Sequence, residues 1–206
     1  SIASVLCLGL VLYLTQNLYQ KDHETWSPYY KINHYQNPDV TSINVNGSLH
    51  QYMINFSPPL DSQKSVINEI KQQYQLPYRF VKSWEDVLIL GAGSGNDVHL
   101  VLEQGAKNID AVEIDRTIWK LGKDLNYQKP YDDPRVKVHI DDARAFLKKT
   151  KKKYDVIILG TLDSQTLLSG MSSIRLDNYI YTAESFRSIR EHLKPEGVMV
   201  FYHMSP

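Results

Sequence analysis

The chain has 206 residues, with 23 Lys and Arg balanced by 23 Asp and Glu. That length allows one domain with appendages and a core that buries roughly 70% of the unfolded surface. Zero net charge excludes the basic footprint of a general nucleic-acid binder and the highly charged signature of disorder, while the single Cys7 excludes a disulfide framework or a cysteine zinc cluster.

Residues 1–20 carry no charged side chain, and Ile2 to Leu14 is almost wholly apolar. Twenty helical residues span roughly 30 Å, the thickness of a bilayer core. Two readings follow: the tail of a transmembrane helix from a longer protein, which is preferred, and a buried core helix. The first makes the remainder a cytoplasmic domain anchored to the inner (plasma) membrane through residues 1–20. Residues 21–60 change character. Pro28 to Tyr35 and Thr41 to Phe56 are rich in β-branched and aromatic residues, and Asn46-Gly47 is a strong hairpin signal because a type I′ turn needs positive φ twice. A small antiparallel β domain is expected there. Residues 61–77 read as a helix with Val66, Ile67, Ile70 and Tyr74 on one face.

From residue 86 to the C-terminus strands alternate with helices, which predicts a doubly wound, mainly parallel, Rossmann-like α/β sheet. The expected strands are 86–90, 109–114, 136–140, 154–159 and 198–202; the expected helices are 96–104, 116–126, 142–152 and 182–193. Residues 61–206 would form this α/β unit. The chain ends at Pro206, soon after the fifth strand, so the sheet reads as truncated at that edge. An unpaired edge there makes a homodimer plausible.

Gly91-Ala92-Gly93-Ser94-Gly95 falls between the first strand and the first helix. Glycines at that turn let a ligand approach the backbone closely, beside the unpaired N–H groups of a helix N-terminus. Glu113 ends the second strand about 20 residues further on, where a carboxylate accepts from ribose hydroxyls. Asn96 replaces the third glycine of a dinucleotide fingerprint, which favours an adenosyl ligand without phosphates, such as S-adenosylmethionine. Asp142, after the third strand, is placed to accept from an adenine amino group or to cap the next helix.

These residues resemble a known family. VLILGAGSG, AVEID, DDPRVKVHIDDARAFL, KYDVIILGTLD and LKPEGVMVFYH, with the earlier SPYYKI, are similar in order and content to the spermidine synthase branch of the class I methyltransferase-type fold. The resemblance implies that Glu113 holds the ribose, Asp142 the adenine, and Gly91, Gly93, Ser94 and Gly95 the rest of the donor, S-adenosylmethionine or its decarboxylated form. It also exposes departures. The family's catalytic Asp after the fourth strand aligns with Gly160, its Asp in the glycine-rich turn aligns with Ser94, and its acidic polyamine-channel stretch has no counterpart in residues 47–77. An ammonium in a closed site needs carboxylates around it. On that ground methyl transfer to a small-molecule acceptor is the preferred expectation; aminopropyl transfer to a polyamine and a non-catalytic adenosyl-binding module are the alternatives. Asp163, beyond the fourth strand, is the candidate base. Arg175 and Asp177, in the long loop 164–178, and His50 and Gln51, after the Asn-Gly turn, are candidate acceptor contacts. The seven histidines show no metal-ligand spacing, so no metal is expected.

Overall fold

The computed structural model describes residues 23–57, 61–160 and 180–201. Residues 1–20, Asp163, Arg175 and Asp177 lie outside the described residues. Among those described, no helix is long and apolar enough to cross a membrane.

The first four strands, β1 (His23–Trp26), β2 (Lys31–Gln36), β3 (Val40–Val45) and β4 (Ser48–Ile54), form an antiparallel meander. Asn46 and Gly47 join β3 to β4 with φ of 50° and 83°, the type I′ geometry expected of this dipeptide. Alternation along β3 sends Thr41, Ile43 and Val45 inward, and Ile32 and Met53 join them under one face. β1 is an addition to the expected strands: four residues that carry no apolar alternation to signal them.

Helix α1 (Asp61–Gln75) follows, then a 3-10 turn over Leu76–Phe80. Ile67 is buried, and Ile70 and Tyr74 pack against the core, whereas Val66 is 52% exposed and falls outside the expected apolar face. The remaining elements are β5 (Asp86–Leu90), α2 (Asn96–Glu103), β6 (Asn108–Glu113), α3 (Arg116–Leu125), β7 (Val136–Ile140), α4 (Ala143–Lys149), β8 (Tyr154–Leu159), α5 (Ala183–Glu191) and β9 (Leu193–Phe201). The five strands run parallel in the order β7-β6-β5-β8-β9. Val87 to Leu90 in β5 and Val156 to Leu159 in β8 are unbroken apolar runs because both their faces are covered. Val87, Ile89, Val156 and Ile158 pack on α1 and α2, while Leu88, Leu90, Ile157 and Leu159 pack on α4 and α5. Helix α3 lies between the two sheets, since its Ile118 joins the meander's core and its Trp119 joins the main one.

Two expected boundaries are corrected. Lys194-Pro195-Glu196-Gly197 reads as a stop before a strand at 198, but β9 already pairs at Leu193 with Tyr154. It then bulges, and resumes at Val198 opposite Val156. The bulge is held by Lys194, whose Nζ lies 2.8 Å from both Asp86 and Asp155. Helix α4 stops at Lys149 rather than 152. Lys152, next to β8, bridges Asp86 and Asp110 at 3.0 Å each, so the basic run is partly absorbed by carboxylates at the amino edge of the sheet.

Candidate functional site

In the strand order, the chain winds outward from β5 to β7 and then returns to the other side of β5 at β8. The gap above β5 and β8 is therefore a topological switch point, where the carboxyl ends of parallel strands leave a crevice for a ligand. The glycine-rich turn occupies it, and Gly91, Gly93 and Gly95 have φ of 77°, 54° and 98°.

Four long-range partners fix the turn. Gly93 N donates to Glu113 Oε2 at 2.8 Å, tying the end of β6 to the loop after β5. Gln51, on β4, accepts from both the backbone N and the Oγ of Ser94 at 3.0 Å through one oxygen. Tyr131 donates its hydroxyl to the carbonyls of Gly93 and Ala92, at 2.7 and 3.1 Å. Asn126, capping the end of α3, adds a bond from Nδ2 to Ser94 O at 2.9 Å. A Cβ on Gly93 would stand 2.6 Å from the Gln51 oxygen, so any side chain there would push Gln51 off Ser94 besides having to adopt a positive φ.

Asn96 has a role unrelated to pyrophosphate. Its Nδ2 donates to Tyr52 O at 2.7 Å and its Oδ1 accepts from Ile54 N at 3.2 Å, clamping the first residue of α2 to β4. Asn96→Ala would leave a buried N–H and a carbonyl without partners. A loss of about 2 kcal/mol is expected, read as a lower urea midpoint at unchanged m-value.

The electrostatics of the site are dominated by burial. Glu113 is 7% exposed; burial pushes its carboxyl up to about 7, although Gly93 N and Asp115 N both donate to it. Asp97, in the first turn of α2, is 6% exposed and burial alone raises it to about 7. Tyr131 is raised well above the ordinary phenol by burial and by the Glu113 and Asp97 carboxylates near it. Burial lowers the His50 imidazole to about 4, and its ring lies 6.0 Å from that of Tyr30.

The expected site residues are thus brought together unevenly. Gly91, Gly93, Gly95 and Glu113 meet at one rim. Asp142 lies exposed on the same rim, after β7, with Oδ1 capping α4 through Ala145 N at 2.8 Å. Ser94 is 1% exposed and turned toward Gln51 and Asn126, away from the crevice. Gln51, expected at the acceptor, braces the turn through its oxygen, which accepts from Ser94. His50 is packed beside Tyr30. Tyr131 and Asn126, which bond to the turn, and Asp97, in the first turn of α2 that follows it, are not among the expected site residues. A sequence signal for Asp97 existed: it shares a helical face with Leu100 and Val101, both fully buried, so it points inward.

A five-stranded parallel sheet wound both ways, with a glycine-rich turn after its central strand and an acidic residue closing the next, defines a class I methyltransferase-type α/β fold. The comparisons narrow it. Residues 73–206 match the spermine/spermidine synthase domain family, and the chain belongs to that family. It is 29% identical over 202 residues to polyamine aminopropyltransferase 2 of Aquifex aeolicus, covering 93% of this chain and 36% of that protein. It is 36% identical over 122 residues to the polyamine aminopropyltransferase of Pyrobaculum calidifontis, covering 56% of this chain and 40% of that protein. The chain therefore spans well under half the length of these curated relatives. Among solved structures, spermidine synthase from Thermotoga maritima superposes with a TM-score of 0.63 at 19% identity, over 86% of this chain and 55% of that one. A spermidine synthase bound to the transition-state analogue AdoDATO gives the same TM-score at 20% identity, over 86% and 54%. The expectation of methyl transfer is corrected by these findings: the matched family and the named relatives are aminopropyltransferases.

Proposed function

We propose that this chain provides the donor site and much of the catalytic domain of a polyamine aminopropyltransferase, with decarboxylated S-adenosylmethionine as donor and a polyamine as acceptor. The observation that carries the reading is the Glu113–Gly93 link at the switch point, in a chain of this family. When bound, the donor supplies an alkyl carbon activated by its sulfonium. The residues present suit it. A carboxylate has about four lone-pair directions, so Glu113, with two spent on backbone N–H groups, keeps two for ribose hydroxyls. Asp142 keeps its second oxygen for the adenine amino group. The buried Oδ1 of Asp97 has no hydrogen-bond partner among the described residues.

The base that takes the proton of the attacking amine has to be sought away from position 160. A Cβ on Gly160 would lie 2.2 Å from Gly91 O, so no side chain fits there without displacing the donor turn. Asp163, the next carboxylate along the chain, is proposed for that role. The test is to incubate the protein with decarboxylated S-adenosylmethionine and putrescine and to quantify methylthioadenosine and the aminopropylated amine by mass spectrometry. Both products should appear in equal amounts, and Asp163→Asn should lower the rate at least 100-fold while donor affinity is kept. A protein that binds the donor yet yields neither product with any polyamine would overturn the proposal.

A further inference from the structure

The glycine-rich turn has the sequence of an anion cradle but has already spent the groups that would make it one. Gly91 N and Ala92 N both donate to Val112 O at 2.9 Å, and Gly95 N donates to Ala92 O at 3.0 Å. Gly93 N is given to Glu113 and Ser94 N to Gln51. Every backbone N–H from Gly91 to Gly95 is therefore bonded within the protein. The Ser94 hydroxyl is spent as well, on the same Gln51 oxygen as Ser94 N, each at 3.0 Å. Donors converging on one oxygen in this way are how such turns hold a phosphate or carboxylate oxygen of a ligand. Here a side chain of the protein supplies that oxygen. β4 delivers it through a bulge: Ile43 faces Gln51 and Asn44 faces Leu49, so His50 is the extra residue, and Gln51 shares the inward side of Ile43. The surroundings oppose an anion too. Asp97, Glu113 and Asp115 are all buried about the turn, and after burial it is the Asp115 charge that helps push the Glu113 carboxyl up.

We infer that Gln51 is a specificity-determining residue: its carboxamide oxygen occupies the oxyanion position of the glycine-rich turn, so the site takes adenosines whose 5′ substituent is neutral or cationic and turns away 5′-phosphates. The inference rests on the adenosyl-donor reading of the site. With the ribose hydroxyls on Glu113, which is bonded to Gly93 N, the 5′ substituent runs over the turn beside Ser94. A phosphate there finds no free N–H between Gly91 and Gly95 and meets buried acids in a poorly solvated place, where like-charge repulsion is strong. A sulfonium or a thioether at the same place requires no N–H donor.

The test is calorimetric titration of the protein and of Gln51→Ala with three ligands that differ only at the 5′ carbon: methylthioadenosine, 5′-amino-5′-deoxyadenosine and adenosine 5′-phosphate. The wild type should bind the first two about 50-fold or more above the phosphate. Gln51→Ala frees Ser94 N, Ser94 Oγ and the space of the carboxamide, and should narrow that preference about tenfold by a gain in phosphate affinity. Gln51→Glu keeps an acceptor on Ser94 and adds a charge, so its preference should equal or exceed that of the wild type. Should Gln51→Ala not fold, Gln51→Asn, one methylene short of Ser94, carries the same comparison. A Gln51 that only braces the turn predicts that all three ligands weaken alike with their ratios unchanged. That result, or a wild type that binds the phosphate as well as methylthioadenosine, overturns the inference while the adenosyl site stands. A wild type that binds none of the three overturns the adenosyl reading and this inference with it.

Discussion

Gly122→Ala is expected to destabilise the protein by about 3 kcal/mol, although the same change in an exposed helix stabilises by about 1 kcal/mol. The reversal comes from where α3 sits. Gly122 is buried mid-helix, and a Cβ there would lie 2.6 to 2.8 Å from the O, Cα and C of Ser94. Those atoms are backbone and cannot rotate aside, so the helix and the glycine-rich turn would have to separate. Forced overpacking of this kind costs about 1–3 kcal/mol. Separation also threatens the bond from Asn126 Nδ2 to Ser94 O, a further contribution of about 1 kcal/mol. Urea unfolding of the variant measures the first effect, and adenosyl-ligand affinity, which should fall in parallel, measures the second. Lys123→Ala, one residue on and exposed, should stay within about 0.5 kcal/mol of the wild type. A Gly122→Ala protein as stable as the wild type would show that α3 does not set the turn.

Much of the framework that carries this site is legible in the residues alone, for a local reason. Residues 87–90 and 156–159 are apolar runs too short for helices and bounded by polar residues or loops, as strands covered on both faces must be. Asn46-Gly47 dictates its own turn, and a glycine-rich loop followed by Glu113 places a ligand rim before any packing is known. What escapes is non-local. Ser94 reads as a ligand contact because of its position in the turn, yet Gln51, 43 residues earlier, draws it inward. Asp97 reads as a polar residue at a helix start, where an acid is unremarkable, and its burial is signalled only by the helical face it shares with Leu100 and Val101. Gly122 looks like a helix weakness until the turn is seen against it. In β9, Pro195 and Gly197 are ordinary terminators, but Lys194 pairs with Asp86 and Asp155 and the strand continues through a bulge. The departures at Ser94 and Gly160 are what steered the sequence reading to methyl transfer. The structure gives each a steric or bonding cause that is compatible with aminopropyl transfer.

Glu113→Gln should weaken adenosyl-ligand binding about 100-fold and should also change how stability depends on pH. The binding loss follows from acceptor arithmetic. The native carboxylate accepts from Gly93 N and Asp115 N with separate oxygens, and glutamine offers one oxygen and an NH2 that would face the other N–H. One buried backbone donor is left unsatisfied and at least one ribose acceptor is lost; about 2.7 kcal/mol is a 100-fold change in affinity. The pH effect has a definite sign. Burial raises the folded-state pKa of Glu113 from 4.5 to about 7, so the native state holds a proton that the unfolded chain has released. The stability contributed by that proton is complete below pH 4.5 and is lost as pH rises through 7. Between pH 6.5 and 8 the wild type should lose about 1 kcal/mol through this group, and the glutamine variant should not. Asp97 titrates in the same range, and His50, lowered to about 4, favours the native state as pH rises toward 6.5; both are common to the two proteins and cancel in the difference to first order. The destabilisation caused by Glu113→Gln should therefore shrink by about 1 kcal/mol from pH 6.5 to 8 in paired urea titrations. A destabilisation that is flat or grows over that range would mean that Glu113 is ionised throughout. The ribose site would then rest on a carboxylate already charged in the free protein, with the N–H groups of Gly93 and Asp115 outweighing its burial.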